Sequence, residues 1–177
     1  MQMAIIAAKH DCFDGIMEFY YDLIDTMQNT EFDPGWERDI YPTREFIQNS
    51  IQHGELFIVL LNDGIVGAMV MNHECADGYG SVQWKIKANK NEAVVLHTLG
   101  VSPRYQGKGV AKKMVAYAIK ACAENGIKAL RLDVLASNIP AQKLYAGMGF
   151  IYIDKIRIYY EDTGLMDFLL YELPLGV

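Results

Sequence analysis

Between residues 93 and 123 the chain carries no Asp or Glu, yet Arg104, Lys108, Lys112, Lys113 and Lys120 fall inside that window. The window opens with a near-continuous apolar run over residues 93–101, the pattern of a strand buried on both faces. It continues as Val101-Ser102-Pro103-Arg104-Tyr105-Gln106-Gly107-Lys108-Gly109-Val110-Ala111, where two glycines one residue apart lead into a helical pattern over residues 107–125. Glycine lets the backbone come close to a ligand. The first N–H groups of a helix have no intrahelical partner, and the helix dipole favours an anion there. Strand, glycine turn and helix start together suit a pyrophosphate, or form a glycine-rich loop that merely starts a helix. The chain as a whole carries a net charge of -6, so a basic, acid-free stretch marks the place of an anionic ligand.

Two common nucleotide loops do not fit. A P-loop in this register needs Gly at 102 and Ser or Thr at 109, where the chain has Ser102 and Gly109. A dinucleotide fingerprint starting at Gly107 needs a small residue at 112, where the chain has Lys112.

The remaining elements follow from periodicity and turn residues. Residues 3–8 read as a strand. Residues 11–28 read as a helix, with Ile16, Phe19, Tyr20, Leu23, Ile24 and Met27 at helical spacing. Residues 29–36 form a loop, and Thr43 is an N-cap for a helix through Phe46, Ile47 and Ile51. Strands over 55–61 and 65–71 flank the turn Asn62-Asp63-Gly64. Residues 75–80 read as a turn and 81–88 as a short strand or an irregular excursion. A strand over 129–135, a helix over 140–148 and strands over 150–160 and 165–173, around Asp162-Thr163-Gly164, complete the chain. This order predicts a mixed sheet with helices on its faces, and no linker or repeat divides residues 1–177, so one domain is expected.

Composition excludes several classes. An acidic chain does not bind nucleic acid through a general basic surface. The three cysteines, Cys12, Cys75 and Cys122, match no zinc or redox spacing, so no metal is expected and a reducing compartment suits them. No apolar run reaches the length that spans a bilayer, and the apolar start is too short for a signal segment. A cytoplasmic protein with no membrane partner is the expectation.

The pattern Arg104-x-x-Gly107-x-Gly109, after an apolar strand and a Val-Ser-Pro turn, closely resembles the pyrophosphate loop of the GNAT superfamily of acetyl-CoA-dependent N-acetyltransferases. The segment from Leu132 to Phe150 resembles that superfamily's second signature: a strand, then Asn138, Ala141, Leu144-Tyr145 and Gly149-Phe150. The two signatures span roughly residues 93–150, about a third of the chain.

The resemblance implies an α/β (α+β) GNAT fold: a mixed, mostly antiparallel central sheet, helices on both faces, and a splayed strand pair holding the cofactor. It implies acetyl-CoA as cosubstrate and acetyl transfer to a primary amine by direct attack. Backbone groups at Leu99 and Val101 would bond the pantetheine arm, as an added strand would. Arg104 and the N–H groups of Gly107, Lys108, Gly109, Val110 and Ala111 would hold the pyrophosphate. Asn138 would bond the arm from the far side of the gap, or simply cap a helix. Tyr145 matches the general acid that protonates the departing sulfur, although it also lies on an apolar stripe with Ala141, Leu144 and Met148 and fits a plain core role.

A proton acceptor for the amine is less directly specified. His97 lies in the buried strand, and strand alternation puts it on one face with Leu99 and Val101; it titrates near neutrality. Its position resembles a histidine used by arylalkylamine-acetylating members of the superfamily, although Val95 stands where those members have a second histidine. Water is the other acceptor, and Glu92 is a third candidate that also fits a solvated strand end. A core histidine bonded to Thr98 or to a carbonyl explains the same residue.

Residues 1–50 hold ten acids mixed with Phe13, Phe19, Tyr20, Tyr21, Phe32, Trp36 and Tyr41. Such a region would draw a cationic or aromatic amine, or its acids merely coat a solvated helix face. Tyr79 and Trp84 belong to the pocket wall or to the core. The long apolar strands at 150–160 and 165–173 predict a homodimer. The same fold without catalysis would be an acyl-CoA-binding sensor or an interaction module.

Overall fold

A computed structural model describes residues 3–61, 64–161 and 164–176. Among these residues the strands are β1 (Ala4–Ala7), β2 (Leu56–Leu61), β3 (Gly64–Asn72), β4 (Ala93–Val101), β5 (Ala129–Leu135), β6 (Ile151–Tyr160) and β7 (Gly164–Pro174). The helices are α1 (Phe13–Met27), α2 (Arg44–Gln52), α3 (Val110–Glu124) and α4 (Ile139–Gly147). The strands form one sheet in the order β1-β2-β3-β4-β5-β7-β6. Every neighbouring pair is antiparallel except β4 and β5. The turn residues 62–63 and 162–163, expected to close two hairpins, lie outside the described residues.

Helices cover both faces. On one, α1 buries Ile16, Phe19, Tyr20, Leu23, Ile24 and Met27, all at the spacing read from the sequence; most of this stripe meets Leu56, Ile58, Ala68 and Val70 of the sheet. On the other, α3 packs Val110, Met114, Val115 and Ala118 against Val59, Met69, Val94, Leu96, Leu130 and Leu132. The helix ends follow local chemistry. Thr43 Oγ1 accepts the Phe46 N–H at 3.0 Å and starts α2. Gly107 and Gly109 take φ of +70° and +80°, a left-handed conformation that keeps them out of the helix, so α3 begins at Val110 rather than at 107.

Residues 81–88 form no strand. A single 3-10 turn, Tyr79–Ser81, leads into an irregular path over the α1 side of the sheet. The fully buried Glu172 of β7 holds that path in place: one oxygen takes Arg131 Nε at 3.0 Å, the other accepts the N–H groups of Lys85 and Ile86 at 2.9 and 3.1 Å. The Arg131 guanidinium lies 4.4 Å from the centre of the Trp84 ring. Tyr79 and Trp84 thus join the core, with Val82, Val95 and Leu170.

Two irregularities shape the centre. First, β4 and β5 pair only at Ala93–Ala129, Val94–Leu130 and Val95–Arg131. Beyond those pairs the strands diverge, and among the described residues the β5-facing edge of β4 has no strand partner. Second, β4 carries a bulge. Ala68 pairs Gly100 and Val70 pairs His97, so Thr98 and Leu99 together oppose Met69, and Thr98 takes φ of +50°. A bulge resets the alternation of side chains. Leu96, Leu99 and Val101 therefore face α3, while the His97 ring meets Phe46 of α2 at 6.3 Å. The expectation that His97 shares a face with Leu99 and Val101 is corrected: the extra residue sends it to the opposite side of the sheet.

Candidate active site

A groove of about 490 Å³ runs between the end of β4, the start of α3 and the start of α4. Gly107, Gly109, Val110, Ala111 and Lys112 line one end, and Leu99, Gly100 and Val101 line its middle. No acid occupies the first turn of α3. The open end of the helix dipole and the Lys112 ammonium make this end electropositive. Nothing lies within 4 Å of where a Cβ on Gly107 or Gly109 would point, so space for a ligand exists directly over the turn.

Not every expected cofactor residue reaches the groove. Lys108 lies outside the lining: its N–H is bonded to the Tyr105 carbonyl at 3.3 Å, and its ammonium rests 5.0 Å from the centre of the Tyr105 ring. Lys112, one helical turn further on, lines the groove in its stead. Arg104 sits exposed in the 3-10 turn Pro103–Tyr105, away from the lining. The Val101 carbonyl already accepts from Gln106 Nε2 at 3.4 Å.

The groove meets a second, smaller cavity of about 110 Å³. Pro34, Trp36, Leu99, Asn138 and Ala141 belong to both linings. The smaller cavity passes through the gap between β4 and β5. On the α3 side it is bounded by Leu96, Leu99 and Tyr145; on the α1 side by Trp36, Tyr41, His97, Asp133 and Phe168. The splay explains the opening, because continued pairing of β4 with β5 would close it.

Asn138 stands at the junction. Its Oδ1 accepts the Ala141 N–H at 3.1 Å and caps α4. Among the described residues its amide NH₂ has no protein partner. The capping and ligand-binding readings of Asn138 are therefore compatible: one end of the side chain serves each.

Tyr145 is buried, its ring edge-on to Phe150 at 5.6 Å. Burial, and then the charge of Asp133, push its phenol well above the ordinary range, so it keeps its proton at any working pH. No described group hydrogen-bonds its hydroxyl. His97 Nε2 lies 3.0 Å from Asn72 Oδ1 and 3.1 Å from the Glu74 carbonyl, and burial lowers its pKa. The imidazole is thus neutral at pH 7.

Glu92 does not enter the cavity. It completes a capping box with Asn89 and pairs with Lys128 at 2.6 Å, which holds its carboxyl below the ordinary range. Three of the N-terminal acids are likewise engaged at the surface. Asp25 pairs with Arg38, Asp39 accepts from Tyr21, and Asp33 accepts the Asn29 and Gly35 N–H groups. None of the ten lines the cavity. Their aromatic neighbours do reach it: a chain of ring contacts runs Tyr20–Trp36–Tyr41–Phe46–His97, with centroids 5.9 to 6.3 Å apart.

The carboxylate that lines the cavity is Asp133, which the sequence reading passed over. It lies on β5, past the last residue paired with β4, and accepts the Tyr79 hydroxyl at 2.8 Å. Strand alternation from the paired residue Arg131 could have pointed to it, since residues 131 and 133 share a face.

The chain matches the model of the acetyltransferase (GNAT) family over residues 19–150. It is 33% identical over 94 residues to a [ribosomal protein bS18]-alanine N-acetyltransferase of Haemophilus ducreyi, an alignment covering 53% of this chain and 65% of that one. The chain thus spans less than two thirds of that relative's length. A crystal structure of a putative acetyltransferase from Staphylococcus aureus Mu50 superposes with TM-score 0.71 at 26% identity, covering 97% of this chain and 99% of the other. The fold of yncA, a putative acetyltransferase of Salmonella typhimurium solved with its cofactor acetyl-CoA, is similar with TM-score 0.70 at 17% identity, covering 100% of this chain and 96% of the other. Among the described residues, no helix is long and apolar enough to cross a membrane, and no group of three His, Cys, Asp or Glu could hold a metal.

Proposed function

The chain belongs to the GNAT acetyltransferase family, and on that premise we propose that it transfers the acetyl group of acetyl-CoA to a primary amine. The observation that carries this reading is one continuous passage, from the glycine turn of α3 through the β4–β5 gap to His97 and Asp133. Acetyl-CoA is long, anionic at one end and reactive at the other, and the passage matches it in that order. The N–H groups of Gly109, Val110 and Ala111, with Lys112, would hold the pyrophosphate. The unpaired edge of β4 near Leu99 and the Asn138 amide would hold the arm, and the thioester would reach Tyr145.

The chain's own groups then divide the work. His97, or water, accepts the proton of the amine, which attacks the thioester carbonyl. Tyr145 donates a hydrogen bond to the departing sulfur. A free thiol titrates at about 8.5, and the buried phenol holds its proton more tightly than that. Tyr145 therefore stabilises the developing thiolate by its hydrogen bond, and any proton it gives as the thiol forms is replaced by the second proton that the amine nitrogen sheds as the amide forms. Asp133 gives the acceptor side its negative charge, and Trp36 and Tyr41 give it apolar walls; both features favour a cationic or aromatic amine. Two copies of the chain pair through β6 and β7, and the protein works in the reducing cytoplasm.

Calorimetric titration with acetyl-CoA followed by a thiol-release assay over an amine panel tests the proposal. The panel includes arylalkylamines, polyamines and peptides with a free N-terminal alanine, the last because of the Haemophilus ducreyi relative's name. Amine-dependent thiol release supports the proposal. Saturable binding without release by any amine would instead identify a non-catalytic acyl-CoA sensor, and no binding would refute both.

A further inference from the structure

We propose that Asn72 is a positioning residue that locks His97 in one tautomer, with the proton on Nε2 and the lone pair on Nδ1, so that Nδ1 is the atom that receives the amine's proton. The inference rests on the acetyltransferase reading for the role of that atom, and on geometry alone for the tautomer.

His97 Nε2 faces two groups, the Glu74 carbonyl at 3.1 Å and Asn72 Oδ1 at 3.0 Å. The carbonyl can only accept. An amide side chain could be turned either way, but the neighbours of Asn72 allow one orientation. Its Oδ1 accepts the Glu74 N–H at 3.0 Å, and its Nδ2 donates to Glu55 Oε2 at 3.3 Å. Turning the amide would set an NH₂ against an N–H and a carbonyl against a carboxylate. Asn72 is 5% exposed, so water has little room to relieve either conflict.

Nε2 therefore meets two acceptors and carries a proton. A neutral imidazole has one N–H, so Nδ1 holds the lone pair; no described group bonds Nδ1. The ring lines the cavity, opposite the side from which the thioester would enter. Proton transfer then balances simply. The N–H bond of the bound ammonium breaks, its electron pair stays on the amine nitrogen, and the proton joins the Nδ1 lone pair. The resulting imidazolium keeps its Nε2–H bonds to Asn72 and Glu74 and later yields the Nδ1 proton to solvent.

The charges around that cation are mixed. Glu74 on the adjoining loop and Glu55, through Asn72, favour it. Asp133 of β5 favours it from across the cavity; Phe46 of α2 contributes no charge, and Tyr145 keeps its proton. Burial opposes it. A basic site with one open lone pair is thus held neutral until an ammonium is presented to it, the pattern expected of a proton relay.

Nitrogen-15 NMR of imidazole-labelled protein tests the tautomer without any assay of activity. His10, His53 and His73 are the other histidines, and a His97→Gln spectrum assigns the remaining signal. Above its titration, His97 is expected to show a protonated Nε2 and an unprotonated Nδ1. Asn72→Leu, which keeps the bulk and removes the acceptor, is expected to give mixed tautomers and to lower kcat about tenfold, the low end for metal-bound histidines that lose an orienting neighbour, with acetyl-CoA affinity unchanged. Asn72→Asp combined with Glu55→Gln reverses the hydrogen bond to residue 55 and sets the negative charge beside the ring, so it should recover the Nε2–H tautomer and raise the acid limb of the kcat/KM profile. A proton on Nδ1 in the unaltered protein overturns the proposal even if Asn72→Leu fails to fold. A folded Asn72→Leu protein with unchanged tautomer and turnover overturns it as well. If no amine is acetylated but Nε2 carries the proton, the tautomer stands and the acetyltransferase reading falls.

Discussion

The hydroxyl of Tyr20 donates to the Thr98 carbonyl at 2.9 Å, joining α1 to the bulge of β4 across 78 residues of sequence. Thr98 Oγ1 lies 3.2 Å from the same hydroxyl. Tyr20 is fully buried, and burial raises its phenol far above the ordinary range, so it is a permanent donor. The contact supports a residue at φ of +50°, a conformation that a β-branched side chain seldom adopts.

Tyr20→Phe removes that donor and leaves a buried carbonyl without it. A loss of about 1–3 kcal/mol is expected in urea unfolding. Because the bulge separates His97 from Leu99, the variant should also lose amine-dependent turnover more than it loses acetyl-CoA affinity. Equal stability of the two proteins would show that the bulge holds without the hydrogen bond.

Gly109→Asp places a carboxylate over the N-terminus of α3. Nothing within 4 Å obstructs the new Cβ, and Asp tolerates the left-handed conformation better than most residues, so the fold should survive. Acetyl-CoA binding should fall at least a hundredfold by calorimetry. Unchanged affinity in a folded variant would move the pyrophosphate site elsewhere.

Tyr145→Phe keeps the ring that packs on Phe150 and removes only the hydroxyl. Acetyl-CoA affinity should be retained while kcat falls by about 10²-fold, the low end for a positioned acid. A variant with full turnover would make Tyr145 a core residue.

His97→Ala should depress kcat/KM most at low pH, where free amine is scarce, and approach the parent protein at high pH. A packing defect would lower the rate equally at every pH and leave water as the acceptor. Stability carries a second signature. Burial lowers the His97 pKa from its ordinary value, so the unfolded chain binds the proton more readily. The corresponding stability is present above about pH 6.5 and is lost as pH falls through the folded value. His97→Gln should therefore lose less stability than the parent between pH 7 and pH 5 in denaturant titrations.

Tyr159 and Leu165 stand opposite each other on β6 and β7, 69% and 60% exposed. An apolar pair this open on an edge hairpin suits a second copy of the chain. Light scattering at micromolar concentration should give a 40 kDa particle, twice the 20.0 kDa chain, and Tyr159→Lys with Leu165→Glu should halve it. A 20 kDa particle from the unaltered chain would exclude the dimer.

Local chemistry was legible in the sequence. The α1 stripe, the Thr43 and Asn138 caps and the Gly107/Gly109 turn each depend on residues within a few positions of one another, where spacing and backbone preference act directly. The order of elements followed, and with it the sheet and the open groove at the start of α3. Contacts between distant segments decided the rest. The bulge at Thr98 rests on Tyr20, 78 residues away, and it alone reverses the face of His97. The 81–88 path follows the buried carboxylate of Glu172, more than 80 residues on. Asp133 matters because β5 leaves β4 after Arg131, and the orientation of Asn72 is set by Glu55 and Glu74 together. Periodicity along one strand carries no information about where that strand parts from its neighbour, so the passage through the sheet, and the residues that meet in it, exist only once the chain is folded.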